Sequence, residues 1–466
     1  MVTQPATSRL PTNAAALHIT VFNILWAIAH IGHLLRKEAI LHPLVWILLL
    51  SCVFLIEKPS SRLRLGFVAL SQIVLFIKRL PATDNHMYIM FFINAGLLVT
   101  VAHLLVKDEG WNESNLKAIR IYALIVLVIS YGAAAIAKLN HVFFEPTKSC
   151  AVDMFGDAGL FFGWTPAILP LTIYNALPYM VASTELMIPI LLVIRRTRSV
   201  GTVILVIFHI MISLSPTSTA LDFTILLFAV AYLLLQYTTS QHLRAHYDKI
   251  HALIPSSLRA NITSIFVLLL FFLLVALIWR LGTVAGNRGW TLLAPTSLTI
   301  GFLLVALAIK SDSRQRRESI KPSGLKPPHY ALIGLLLFNV ASPYMGIKTA
   351  GTFTMYSNLN TYDSRSNHFF LPRFPWQSLH DDLVEIVATS NEDLEVLRRN
   401  GLRVTWHELR RQLARNPESS ISFIRDGQLY EYERADQNPE LIRLHPVLHK
   451  LVWHRPDDSI NPRCLW

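Results

Sequence analysis

The residues with the chemical character of a catalytic site lie inside or at the ends of long apolar runs. They are Lys138, His86, His209, Glu185 and Asp222. An ionisable side chain is costly to place in hydrocarbon, so each is a candidate for function. Lys138 is the strongest candidate, because burial disfavours an ammonium group and leaves a neutral amine that can accept a proton near neutral pH. Its neighbours Asn140 and His141 keep the end of that apolar run polar.

Each of these residues also has a purely structural interpretation. Lys138 could extend its charged end to the membrane interface. His86 and Asp222 each begin an apolar run and could belong to a helix cap. His209 and Glu185 could be hydrogen-bonded groups of the interior. The functional interpretation requires four of the five side chains to face one cavity: Lys138, His86, Glu185 and His209.

Other kinds of site receive little support. The chain has no Walker loop, no G-x-G-x-x-G motif and no G-x-S-x-G nucleophile elbow. His30 and His33 are one helical turn apart, but no cysteine or carboxylate accompanies them at ligand spacing. We therefore expect no metal site.

The elements that carry these residues are long apolar runs. Of the 466 residues only 15% are charged, against about a quarter in soluble domains, and the mean hydropathy is +0.42. The runs predict about eleven transmembrane helices, at 14–35, 43–56, 65–80, 86–106, 119–138, 171–194, 199–214, 220–236, 262–282, 290–309 and 330–346. The stretch 158–170, broken by Gly and Pro, is typical of a re-entrant or interfacial segment.

The distribution of charge predicts the orientation in the lipid bilayer. The net charge of +12 does not indicate a nucleic-acid partner, because the chain from Lys348 onward is nearly neutral. The excess of Lys and Arg lies in loops on the side of the N-terminus, and the richest loop is 310–326. The positive-inside rule therefore places the N-terminus in the cytoplasm and the C-terminal region outside, in a plasma or inner membrane.

From residue 347 the composition is that of a soluble domain. Residues 381–391 predict a strand, Thr405 and Glu408 predict a capping box, and Asp426-Gly427 predicts a hairpin turn. We predict an all-α polytopic membrane domain at 1–346 and a small C-terminal α+β extracytoplasmic domain at 347–466. Cys150 and Cys464 could form a disulfide if both lie on an oxidising side.

Several short segments, taken in their order along the chain, resemble those of a known family. They are Asn85-His86 at the start of a predicted helix, AAIAKLN (134–140), TELMIPILLVIRRTRSVG (184–201), FHIMISL (208–214) and PYMGIKTAGTFTMYSNLNT (343–361). Together they resemble the vitamin K-dependent γ-carboxylase family and its bacterial relatives with an HTTM (horizontally transferred transmembrane) domain. AAIAKLN resembles the Ala-Gly-x-x-Lys-Leu-Asp/Asn signature of that family, with Asn140 in place of the aspartate of the animal enzyme.

The resemblance implies a chemistry. In that family the lysine of the Lys-Leu signature deprotonates vitamin K hydroquinone, and oxygenation then yields an alkoxide that removes a glutamate γ-proton before carbon dioxide adds. Carried over, Lys138 would be the base and His86 would lie near the quinone. The quinone-binding interior would include Asn85, Asn140, Glu185 and His209.

The resemblance further implies vitamin K hydroquinone or another quinol as cofactor, no metal, and an external protein or peptide substrate for a carbon–carbon lyase. Two other classes of function remain open. One is a quinone-linked membrane oxidoreductase, and the other is a non-enzymatic scaffold or transporter with an external partner-binding domain. Convergence of the polar residues on one cavity would favour an enzyme.

Overall fold

The computed structural model describes residues 14–37, 42–161, 169–213, 220–235, 300–307, 309, 324–354, 356–362, 366–374, 381–458 and 464. Within these ranges, four helices are long and apolar enough to cross a membrane: Ala15–Leu34, Asn85–Val106, Glu113–Ala137 and Leu171–Val193. Four more helices are apolar but shorter: Pro43–Glu57, Arg198–Ser213, Asp222–Leu234 and Pro327–Ala341. The protein is therefore a mostly helical membrane protein.

Most of the predicted spans are helices. They are α1 (Ala14–Lys37), α2 (Pro43–Glu57), α3 (Arg62–Arg79), α4 (Asn85–Val106), α5 (Glu113–Ala137), α7 (Leu171–Val193), α8 (Arg198–Ser213), α9 (Ala220–Leu234) and α10 (Pro327–Ala341). The predicted span 262–282 lies outside the described residues, and of 290–309 the structure describes 300–307 and 309, with helix at 300–307. The predicted number of about eleven spans stays a prediction.

One helix differs from the prediction. The segment Cys150–Phe161 forms a twelve-residue helix, α6, before α7 begins. The re-entrant segment predicted at 158–170 overlaps its last turn, and 162–168 lie outside the described residues. The acidic and glycine residues inside α6 interrupt its apolar pattern, so hydropathy alone did not reveal this helix.

A single apolar core joins α1–α5 with α7–α10. The helix ends are fixed locally: Asn112 accepts a hydrogen bond from the backbone N–H of Asn115 at the start of α5, and Lys138 is the cap residue at its end. Because α5 ends there, the Lys138 side chain leaves the helix where α4, α7 and α8 converge.

The segment after α10, residues 342–354 and 356–362, packs back onto the helices. The amide of Asn339 donates to the carbonyl of Gly351 (2.8 Å), and the side-chain oxygen of Asn85 accepts from the backbone N–H of Phe353 (2.5 Å). Gly351 has φ +69°, and an added Cβ would lie 2.4 Å from the ring of Tyr88, so only glycine fits there. Since this segment contacts the helices, the domain boundary predicted at 346/347 stays a prediction.

The C-terminal part contains a small antiparallel sheet of order β2-β1-β3-β4. Its strands are β1 (Leu383–Thr389), β2 (Val404–Thr405), β3 (Ile421–Arg425) and β4 (Gln428–Tyr432). The helices α11 (Glu392–Arg399) and α12 (Trp406–Arg415) lie between the first three strands, and two short helices follow, α13 (Pro439–Ile442) and α14 (Leu448–Leu451). The sheet and helices share an apolar core of their own.

The strand, the helix N-cap and the hairpin turn predicted in this part are confirmed, whereas the Glu408 carboxylate pairs with Arg411 rather than completing a capping box. The Thr405 side chain accepts a hydrogen bond from the backbone N–H of Glu408 (3.2 Å) at the start of α12. Asp426 and Gly427 both have positive φ, +51° and +76°, between β3 and β4. A type I′ turn requires this conformation at both central residues, which explains the hairpin.

Cys150 and Cys464 form a disulfide across 314 residues of sequence. The bridge ties the end of the chain to the start of α6, within a small apolar cluster that also contains Phe143 and Ala182. Cys52 is a buried free thiol in α2.

Candidate functional site

Polar side chains from several helices converge on one cavity of about 70 Å³. The cavity is lined by four of the five residues with which the sequence analysis began: Lys138 at the end of α5, His86 in α4, Glu185 in α7 and His209 in α8. Asn85 lines it as well. The remaining wall is mostly apolar or aromatic: Ile89, Tyr131, Ala134, Met154, Phe208, Ile212, Phe223, Phe353 and Tyr356, with Ser130. This combination of an apolar wall and a few convergent polar groups is typical of a binding site.

The volume limits what the cavity can hold in this conformation. A cavity of about 70 Å³ holds a few water-sized molecules, since each needs roughly 10–15 Å³. Pockets for drug-sized ligands enclose about 300–1,000 Å³. Oxygen or carbon dioxide therefore fits directly, whereas a quinol ring requires the lining side chains to move.

Lys138 and Glu185 form a buried ion pair at this cavity. The Lys138 Nζ lies 2.8 Å from Glu185 Oε2, and the two side chains are 3% and 12% exposed. Lys138 therefore does not extend its charge to the membrane interface. The sequence argument considered burial alone, but the carboxylate supplies a counter-charge that offsets the cost of a buried ammonium group. The fold therefore presents an ion pair at the cavity rather than a lone amine.

A second polar pair lies on the same wall. The hydroxyl of Tyr131, in α5, forms a hydrogen bond with Nε2 of His209, in α8. The ring of Phe223 stacks edge-on against His209 with the centroids 5.0 Å apart. His209 is therefore a hydrogen-bonded group of the interior that also borders the cavity.

The third polar group joins His86 to two residues behind the cavity. Asp222 Oδ2 lies 2.8 Å from His33 Nδ1 and 3.1 Å from His86 Nε2. All three side chains are buried. The sequence offers His33 no neighbouring carboxylate, but the fold places Asp222 beside it across 189 residues. Asp222 is thus more than a helix cap, because the fold supplies the carboxylate that the spacing of His30 and His33 lacks. The expectation of no metal site stays a prediction.

Asn85 and Asn140 are held by backbone contacts. Asn85 lines the cavity and also accepts the hydrogen bond from Phe353. Asn140 is fully buried and is not among the residues that line the cavity. Its amide donates to the carbonyls of Ala137 (2.8 Å) and Ser357 (2.6 Å). Asn140 therefore fastens the segment after α10 to the end of α5, and its predicted role in quinone binding stays a prediction.

Tyr131 and His33 lie beside the predicted site residues, but neither was predicted to do so from the sequence. Tyr131 lies seven positions before Lys138, a spacing that places both on one helix face and could have indicated its position. His33 carries no such signal, because its partners are distant in the chain. Only the packing of α1 against α9 and α4 reveals it.

No family model, curated protein sequence or solved structure matches this chain.

Proposed function

We propose that the chain is a membrane enzyme of the γ-carboxylase type, in which the Lys138–Glu185 pair deprotonates a quinol. The observation that carries the proposal is the 2.8 Å ion pair on a cavity that His86 and His209 share. The resemblance of the Lys-Leu-Asn and Asn-His segments to that family supports it. A quinol hydroxyl is a weak acid, so its ionisation in an apolar interior needs both a proton acceptor and a counter-charge.

The pair supplies both functions without a net change in charge. The Glu185 carboxylate accepts the hydroxyl proton, and the O–H bond electrons remain on the quinolate oxygen. The Lys138 ammonium, freed from its carboxylate partner, then pairs with that oxygen. Total charge is unchanged, which matters because an uncompensated charge is costly in a buried site. This division of roles replaces a neutral Lys138 amine acting alone.

Access of the quinol requires the cavity to widen. Met154, whose side chain is unbranched and flexible, is the lining residue best suited to move aside. The small molecules that the resemblance implies for later steps, oxygen and carbon dioxide, fit the cavity as it is. We further propose that an external protein or peptide is the carboxylated substrate, with the C-terminal part outside the cytoplasm. The Cys150–Cys464 disulfide supports this orientation, because such bonds persist in oxidising compartments.

The experiment uses the purified protein in lipid nanodiscs with vitamin K hydroquinone, oxygen, bicarbonate and a glutamate-containing peptide. Chromatography measures quinone epoxide, and labelled carbon dioxide measures carboxylation. We expect both products from the wild-type protein and a loss of at least 100-fold in Glu185→Gln and Lys138→Met. Lys138→Arg should retain part of the activity, because guanidinium can still pair with the quinolate, whereas a neutral-amine mechanism predicts none.

The control is a second ion pair of the same residue types. Lys148 and Glu145 lie 2.9 Å apart, but both are well exposed, and Lys148→Met with Glu145→Gln should leave activity unchanged. Full activity in Glu185→Gln would contradict the assigned proton acceptor. Epoxide without carboxylation would instead favour a quinol oxidoreductase.

A further inference from the structure

Three helices bring two imidazoles and a carboxylate to one point behind the cavity. His33 comes from α1, His86 from α4 and Asp222 from the first turn of α9. One ligand atom from each, a ring nitrogen or a carboxylate oxygen, lies within 4.8 Å of the other two. His33 and Asp222 take no part in the proposed proton transfer, whereas His86 also lines the cavity.

The direction of one contact points to an ion between the residues. His86 Nε2 is buried and lies 3.1 Å from Asp222 Oδ2, but the two atoms do not meet the angular criterion of a hydrogen bond. The two atoms are close enough for a hydrogen bond, but the carboxylate oxygen lies away from the direction of the ring N–H. Two ligands of one metal ion have this relationship, because each points at the ion and their direct line is oblique.

The distances also suit metal ligands. With metal–ligand bonds of about 2.0–2.2 Å, neighbouring ligand atoms lie roughly 3.0–3.5 Å apart. The contact between His86 Nε2 and Asp222 Oδ2 is 3.1 Å. The contact between His33 Nδ1 and the same oxygen is shorter, at 2.8 Å, and is a hydrogen bond. His33 therefore holds the carboxylate in position, and the two groups would separate slightly around an ion.

We propose that His33, His86 and Asp222 bind one divalent first-row transition-metal ion. Two imidazoles and one carboxylate form a donor set for Zn²⁺, Fe²⁺ or Mn²⁺ that leaves coordination positions open. His86 also lines the cavity, so the ion would lie next to it. The carboxylate, buried in an apolar interior, would gain a counter-charge from the ion. Asp84, whose carboxylate lies 3.8 Å from His86 Nε2, adds negative charge on the exposed side.

The test begins with metal content. The protein is purified with a histidine-free affinity tag, and its metals are measured by mass spectrometry of the elements. We expect close to one transition-metal ion per chain. After removal with a chelator, Zn²⁺ should bind saturably, and Asp222→Asn and His33→Gln should weaken binding at least tenfold. No stoichiometric metal together with no saturable Zn²⁺ binding would overturn the proposal, as would wild-type affinity in Asp222→Asn.

Two controls separate this site from the rest of the molecule. His103→Gln removes another histidine of α4, away from the cluster, and should bind Zn²⁺ normally. Lys138→Met should also bind Zn²⁺ normally while losing the proposed proton transfer, so failure of one proposal is distinguishable from failure of the other. X-ray absorption of the Zn²⁺-loaded wild-type protein needs no variant: two imidazoles with oxygen ligands are expected, and sulfur ligands would exclude the site.

Discussion

At the residue scale, the ion pair of Lys138 and Glu185 has a consequence for stability as well as for the proposed chemistry. Removing one partner of a buried pair leaves the other charge uncompensated, at a cost of about 3–5 kcal/mol. Lys138→Met should therefore lower the unfolding temperature of the detergent-solubilised protein markedly, and Lys138→Met/Glu185→Gln should recover much of the loss. A double variant that is less stable than the single Lys138→Met variant would contradict the pairing.

A second buried lysine yields a dependence on pH. Lys348 lies after α10, where its Nζ is 3.2 Å from the hydroxyl of Tyr88. Burial lowers the pKa of Lys348 from 10.5 to about 8. Below pH 8 the folded protein must bury a charge that the unfolded chain exposes to water, and this penalty disappears as pH rises through 8 toward 10.5.

We therefore expect Lys348→Met to be more stable than the wild-type protein at pH 6–7, by up to about 3 kcal/mol. The difference should shrink between pH 8 and pH 10.5. Thermal unfolding across this pH range measures it. Lys450→Met, at an exposed position of α14, serves as the control and should show no such trend. A Lys348→Met variant that is less stable at every pH would refute the prediction.

The sequence identified the cavity residues better than their partners. Lys138, His86, Glu185 and His209 stand out because each is polar within an apolar run, and this signal is local. Glu185 as the partner of Lys138, and Asp222 as the partner of His86, depend on contacts between helices that are far apart in the chain. The spacing of residues within one helix does not encode such contacts. The partners of Lys138 and His86 could therefore be identified only from the structure.

At the element scale, the β3–β4 hairpin offers a clean test of backbone strain. Gly427 has φ +76°, and an added Cβ would have no atom within 4 Å. Gly427→Ala therefore changes only the backbone preference, at a cost of roughly 1–2 kcal/mol. Hydrogen exchange of peptides covering Ile421–Tyr432 should accelerate about fivefold or more.

Gly427→Asn is the matched variant at this position. Asparagine tolerates positive φ better than alanine, so exchange in the hairpin should stay closer to that of the wild-type protein. Equal effects of Ala and Asn would show that φ is not the cause.

The elements themselves follow largely from local sequence. Apolar runs predicted α1–α5 and α7–α10, and the Asp-Gly pair predicted the hairpin. Both signals depend only on residues that are close in the chain. Helix α6 was missed, since its charged and glycine residues hide an amphipathic pattern. The close packing of the segment after α10 on Tyr88 was also not predictable, because Gly351 alone does not identify the ring that it contacts.

At the scale of the whole molecule, the disulfide links two distant parts of the chain. Cys150 and Cys464 are bonded, so a protein cut once between them should remain covalently joined. With a protease site inserted in 310–326, the two fragments should migrate together on a gel until a reducing agent separates them. In Cys464→Ser they should separate without it. Separation of the otherwise wild-type fragments, after thiols are blocked in intact cells, would contradict both the bond and the oxidising location.

The central claim is that the Lys138–Glu185 pair ionises a quinol inside the membrane core. Its most direct test is an anaerobic absorbance titration with vitamin K hydroquinone at a pH where the free hydroquinone is neutral. The account predicts the spectrum of the quinolate monoanion when the wild-type protein binds it, and the neutral spectrum with Glu185→Gln. A neutral spectrum with the wild-type protein at saturation, or the same anion spectrum with Glu185→Gln, would contradict the account.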